Sequence, residues 1–156
     1  MSDKKPKIGV VGAGHLGKHH IKHLSNHKGV DFVGVFDTNE DSLKNICDEF
    51  SVKPLQSLEE LISLCEAVNI VTPTDTHFDI ARKFLNQKKD VFIEKPLTNT
   101  VEEALSLINL AKTNECIIQV GHIERFNPTI NKLKELVDNP HYCLLYTSDA
   151  ADDSPS

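Results

Sequence analysis

Lys7-Ile8-Gly9-Val10-Val11-Gly12-Ala13-Gly14-His15-Leu16-Gly17 decides the fold of this chain. An apolar run from Ile8 to Val11 ends in Gly12-x-Gly14-x-x-Gly17, and an amphipathic stretch with helical spacing follows. Three glycines alone are weak evidence, but between a strand and a helix they form a dinucleotide-binding fingerprint. Gly12 serves the tight turn, Gly14 lets the backbone approach a diphosphate, and Gly17 lets helix and strand pack closely. The diphosphate then meets unpaired N–H groups at the positive end of a helix, which brings the backbone of His15 and Leu16 into the expected site. The second apolar segment, 30–37, closes on Asp37, 20 residues beyond Gly17. That is the spacing of the acidic residue that takes the adenosine ribose hydroxyls. A carboxylate there repels the extra phosphate of NADP, so the expected cofactor is NAD rather than NADP. The other reading of Asp37 is a cap for the helix that starts near Asn39.

The remaining chain alternates strand and helix. Strands are expected at 7–12, 30–37, 67–72, 90–94 and 116–120, with a short extended piece at 52–55 counted among them. Helices are expected at 14–27, 39–50, 57–64, 75–88, 100–113 and 128–137. Ser57 with Glu60, and Thr100 with Glu103, have the form of capping boxes. On the first helix, Leu16, His20, Ile21 and Leu24 are expected to face the sheet. Strands joined by helices imply parallel pairing with right-handed crossovers, so the fold class is α/β, a doubly wound parallel sheet. Ligands of such sheets bind at the strands' C-terminal ends. Gly12, Asp37, Thr72, Glu94 and Gly121 all fall there.

Composition narrows the function. The 156 residues allow about one domain, and the formal net charge of −6 without a basic run argues against nucleic acid. No apolar stretch approaches the ~18 residues of a membrane span, and Met1 to Pro6 leads straight into a strand with no signal peptide. Cys47, Cys65, Cys116 and Cys143 form no CxxC. They read as reduced thiols of a cytoplasmic protein. His15, His19, His23 and His27 recur at four-residue spacing. Such pairs can grip a metal, but the steps drift round the helix and nothing nearby completes a ligand set, so no metal site is expected.

Gly12-Ala-Gly-His-Leu-Gly17, Thr72-Pro-Thr-Asp-Thr-His77, Glu94-Lys-Pro-Leu97 and Gly121-His-Ile-Glu-Arg-Phe-Asn-Pro128 together resemble the glucose–fructose oxidoreductase, inositol dehydrogenase and rhizopine-catabolism (Gfo/Idh/MocA) family. The resemblance spans 7–138. It implies an N-terminal Rossmann domain, residues 1–128, that binds NAD or NADP, followed by an α/β domain for a sugar, polyol or nucleotide-sugar. It implies hydride transfer between nicotinamide and a substrate carbinol carbon. Lys95 then stands beside the nicotinamide ribose and the substrate hydroxyl as the catalytic lysine; the plain alternative is a surface lysine before a turn. Glu94 contacts the nicotinamide ribose or orients Lys95, and Pro96 holds the turn. Thr72, Pro73 and Thr74 pass over the adenosine ribose and diphosphate. His77 lines the site, or else caps its helix or sits in solvent. Arg125 faces substrate or nicotinamide, or else makes a structural ion pair.

Two departures from the family bear on function. Residues 129–142 read as a helix leading toward a substrate domain that is missing here, and with it the usual acid/base histidine, so this chain alone is expected to be inactive. Family members are commonly homo-oligomers, which is expected of the intact parent. Residues 143–156 break the pattern. Cys143 to Ser148 back-translates as TGT CTC TTA TAC ACA TCT, a transposase end used as a sequencing adapter. The segment is therefore expected to be adapter read-through, with a natural acidic tail as the alternative. Two other functions fit the same residues: an NAD-dependent glycoside hydrolase of this fold, or a non-catalytic NAD-binding sensor or scaffold.

Overall fold

Strand and helix alternate as their apolar spacing requires. In the computed structural model, which describes residues 4–137, the elements are β1 (Lys7–Val11), α1 (His15–Asn26), β2 (Asp31–Phe36), α2 (Glu40–Phe50), α3 (Leu58–Leu64), β3 (Ala67–Ile70), α4 (Thr74–Asn86), β4 (Asp90–Ile93), α5 (Val101–Asn114), β5 (Ile118–Val120), a 3-10 turn (Ile123–Phe126) and α6 (Pro128–Val137). The five strands form one parallel sheet in the order β2-β1-β3-β4-β5. No helix among the described residues is long and apolar enough to cross a membrane.

The extended piece at 52–55 does not join the sheet as a strand. It makes an isolated bridge between Val35 and Pro54, with Val35 N–H donating to Lys53 O at 3.0 Å and Leu55 N–H to Val35 O at 2.8 Å. A proline offers no N–H to prolong a ladder, so the pairing stops there. The strand expected as sixth is therefore the fifth.

Alternation along the strands splits the core between the two faces of the sheet. Val11, Val68, Ile70, Val91 and Ile93 pack with Leu61 of α3, Phe84 and Leu85 of α4, and Leu107 of α5. Val10 and Val35 pack on the other side with Ile21 of α1 and Leu43 and Ile46 of α2. Leu16 departs from the expected sheet-facing set and is 52% exposed. Helical side chains lean toward the helix N-terminus, so a first-turn residue projects past the end of the helix rather than onto the sheet.

Helix starts follow their capping residues. Thr100 and Glu103 close a full capping box on α5. Ser57 accepts the Glu60 N–H at 3.1 Å, but the Glu60 carboxylate turns away to Gln56 N–H and the Lys53 ammonium. These two contacts, the backbone one foremost, hold the Glu60 carboxyl below its ordinary range. The chain divides into two compact units, 1–121 and 122–156. In the second, the 3-10 turn and α6 are described; the expectations for 138–156 and for Cys143 lie outside the described residues.

Candidate functional site

The C-terminal edge of the sheet is a row of strand ends held in step. Gly12 N–H donates to Phe36 O, Val71 N–H to Val11 O, Glu94 N–H to Ile70 O and Gly121 N–H to Ile93 O, at 2.8–3.0 Å. Each bond extends the ladder one residue past a strand, which lines up Asp37, Gly12, Thr72, Glu94 and Gly121 along one rim.

The glycine turn follows β1, between Asp37 and Thr72 on this rim. Gly12 has φ +106°, and a Cβ on it would stand 2.3 Å from Val71 O. A Cβ on Gly17 would stand 2.0 Å from Gly12 O. Both glycines are therefore demanded by the protein's own packing. A Cβ on Gly14 would meet nothing within 4 Å. Gly14 is needed by nothing inside the protein, so its bare backbone leaves room for a ligand. Gly14 also caps α1 with no side-chain hydrogen bond, and the first turn of that helix carries no acid. Orphan N–H groups and a positive helix end together suit an anion. His15 and Leu16 are both exposed on that first turn, where their backbone amides are the groups a diphosphate would meet.

Asp37 stands across the turn. Its Oδ2 accepts the Ala13 N–H at 2.5 Å and its Oδ1 accepts the Asn39 N–H at 2.8 Å. The cap of α2 is Asn39, whose Oδ1 accepts the Ser42 N–H at 2.9 Å, so the capping role expected as the alternative for Asp37 falls to Asn39. A carboxylate has about four lone-pair sites. Two are used by the protein, which leaves one on each oxygen for a pair of adjacent hydroxyls.

A cleft of about 530 Å³ opens between these groups, within the usual range for a small-molecule site. Gly12, Gly14, Asp37, Thr72 and Pro73 line it. Its apolar walls were not foreseen: Phe36, Leu58, Val71 and Ile80 flank it, with Asp75, Thr76 and Asp79 from α4. The α4 residues were open to inference, because 75, 76, 79 and 80 share one helical face. The Leu58 wall, from α3, had no such signal. Thr74, half-buried, begins α4, and Pro73 precedes it as its cap. The Thr76 hydroxyl lies 2.7 Å from both Thr72 Oγ1 and Pro73 O, which stiffens the loop over the cleft.

Farther along the rim, Glu94 is 8% exposed and its Oε2 accepts the Lys95 N–H at 3.2 Å. Burial holds this carboxylate against the backbone of the residue that follows it. Lys95 is exposed, and its ammonium has no carboxylate partner among the described residues. The Lys95–Pro96 peptide is cis. His77 does not line the cleft. It is 1% exposed, with Nδ1 3.0 Å from Pro96 O and Nε2 2.8 Å from Thr72 O. The ring stands behind the site and ties the loop after β3 to the Lys95–Pro96 turn. Arg125 belongs to the second unit, is exposed, and has no ion-pair partner among the described residues.

A family model described as an oxidoreductase family with an NAD-binding Rossmann fold matches residues 6–122. UDP-N-acetylglucosamine 3-dehydrogenase of Acidithiobacillus ferrooxidans is 35% identical over 129 residues, covering 83% of this chain and 41% of that protein. The scyllo-inositol 2-dehydrogenase (NAD(+)) of Bacillus subtilis is 33% identical, covering 85% of this chain and 40% of that protein. The solved structure of the Acidithiobacillus enzyme superposes with a TM-score of 0.78 at 34% identity, over 85% of this chain and 42% of that one. The chain thus spans about two fifths of the length of the relatives it matches. From the glycine turn to the end of β5, in sequence and in fold, this chain belongs to the Gfo/Idh/MocA family of oxidoreductases and carries its NAD-binding Rossmann domain.

Proposed function

We propose that this domain serves an oxidoreductase that moves a hydride between NAD and a hydroxyl-bearing carbon of a sugar, polyol or nucleotide-sugar. NAD, when bound, supplies the hydride chemistry at its nicotinamide ring. The chain's own residues bind and orient it. The glycine turn and the first amides of α1 receive the diphosphate. Asp37 accepts the two adenosine ribose hydroxyls on its free lone pairs, and the walls around Val71 and Ile80 take the adenine. Thr72, Pro73 and Thr74 close over the ribose and diphosphate. At the far end of the rim, Lys95 hydrogen-bonds the substrate hydroxyl and stabilises the negative charge that grows as its proton leaves. Glu94 and Pro96 hold the turn that carries Lys95. The names of the two relatives above favour a nucleotide-sugar or a cyclic polyol as the substrate class.

The observation that carries this reading is Asp37, anchored by two backbone amides at the cleft with two acceptor sites to spare. Titration calorimetry of the chain with NAD and NADP tests it. NAD is expected to bind more tightly. Asp37→Ala is expected to cost NAD about 1.5–3 kcal/mol, the worth of hydrogen bonds to a charged group, and to cost NADP far less. Tighter binding of NADP by the unaltered chain would refute the role of Asp37.

A further inference from the structure

A polar line runs beneath the Lys95 end of the rim, and the roles above use only its last member, Glu94. Period-two alternation turns Asn69 of β3, Phe92 of β4 and Glu94 just past its end away from the face holding Val68, Ile70, Val91 and Ile93. Asn69 and Phe92 are cross-strand partners. Helix α1 lays His20 against this group. Asn69 Nδ2 lies 3.0 Å from His20 Nδ1, and His20 Nε2 lies 2.9 Å from Glu94 Oε1. The Phe92 ring flanks the imidazole at 5.4 Å. The His20 and Glu94 side chains are 18% and 11% exposed. A Cβ on Gly121 would stand 2.8 Å from Glu94 Oε2, so the end of β5 closes in on the carboxylate as well. Among the described residues no buried side-chain nitrogen or oxygen lacks a partner.

The chemistry of the line sets its direction. An amide nitrogen only donates, so the imidazole nitrogen facing it is bare and the ring proton sits on Nε2. Nε2–H then donates to Glu94 Oε1, and Oε2 is left for the Lys95 N–H. We infer that His20, with its tautomer set by Asn69, is a positioning residue that fixes Glu94 and through it the backbone of Lys95. The inference rests on the reading that the nicotinamide lies at the Lys95 end. It also links the helix that meets the diphosphate to the turn that meets the substrate.

Two measurements on the full chain test it. Long-range proton–nitrogen spectra of the His20 ring at neutral pH are expected to show a bare Nδ1 and a protonated Nε2. A ring protonated on Nδ1, or on both nitrogens, overturns the inference without any variant. The second measurement compares affinity for NAD with affinity for ADP-ribose, which lacks nicotinamide. His20→Leu is expected to weaken NAD about tenfold, one hydrogen bond to a charged group, and to leave ADP-ribose nearly unchanged. His20→Gln, whose side-chain amide can donate where Nε2–H does, is expected to restore NAD binding. Equal losses for both ligands, or no recovery in the Gln variant, reduce His20 to a packing residue and overturn the inference. Lys95→Ala separates the two claims. If it leaves the NAD to ADP-ribose ratio unmoved, the placement of nicotinamide fails and this inference falls with it. If it moves the ratio and His20→Leu does not, only the inference fails.

Discussion

The three glycines of the first turn answer to different physical constraints. Gly12 and Gly17 are fixed by backbone atoms 2.0–2.3 Å from where a Cβ would go. Such contacts cannot be relieved by a rotamer change. Gly12→Ala and Gly17→Ala are each expected to destabilise the fold by about 1–3 kcal/mol, read as a lower urea midpoint. Gly14 sits at φ −74°, ψ −168°, a conformation open to alanine. Gly14→Ala is expected to hold or raise stability by up to about 1 kcal/mol while lowering NAD affinity about tenfold or more, because its methyl meets the diphosphate. A Gly14→Ala chain that binds NAD normally would place the ligand elsewhere. The motif and a distinct role for each glycine were legible in the sequence; the contacts that make Gly12 and Gly17 obligatory were not, since they depend on which backbone atoms the fold brings close. His77 carries the same lesson. The family resemblance implied a side chain lining the site, with a helix cap or a solvated ring as the alternatives, but the ring is buried against two backbone carbonyls behind it.

At the scale of elements, periodicity and end signals were enough to place most strands and helices. They failed at 52–55, where an extended piece reads as a strand but Pro54 brings no N–H and the pairing stops at one isolated bridge. They also failed for the facing of Leu16, a first-turn residue. Capping was legible in part. Thr100 and Glu103 exchange both hydrogen bonds, whereas Glu60 is drawn away from Ser57 by Gln56 and Lys53. Local sequence cannot report that competition. Thr100→Ala is expected to cost about 1 kcal/mol and to speed hydrogen exchange at the Glu103 amide, which donates to the Thr100 hydroxyl at 3.2 Å. Unchanged exchange there would show that the packing of α5 alone sets its start. The His20–Glu94 contact joins residues 74 apart in sequence. Alternation predicts which face Glu94 takes, but not which helix covers it.

Across the whole molecule, the parallel sheet turns five separate segments into one rim, so a site spread from Gly12 to Gly121 is assembled only when both cores are intact. Cooperativity of the fold and competence of the site should therefore move together, and a buried titratable group gives a way to press on both. Cys65 closes α3 and is 1% exposed within the core shared by α3, α4 and α5. Burial pushes its thiol from 9.0 up to about 11, with the Lys89 ammonium opposing weakly. A raised folded value means that the folded chain keeps its proton after the unfolded chain has lost it. The stabilising contribution is therefore complete below about pH 9 and is lost as pH climbs toward 11. Urea midpoints measured from pH 7 to 10.5 are expected to fall above pH 9, and NAD affinity with them once unfolding is populated. Cys47 and Cys116 are shifted the same way, so the diagnostic is a difference. Cys65→Ala is expected to start less stable, from the small cavity it leaves, yet to lose less over this range. Parallel pH curves for the two chains would mean that the Cys65 thiol ionises as freely in the folded protein as in the unfolded one, and that this part of the core admits water.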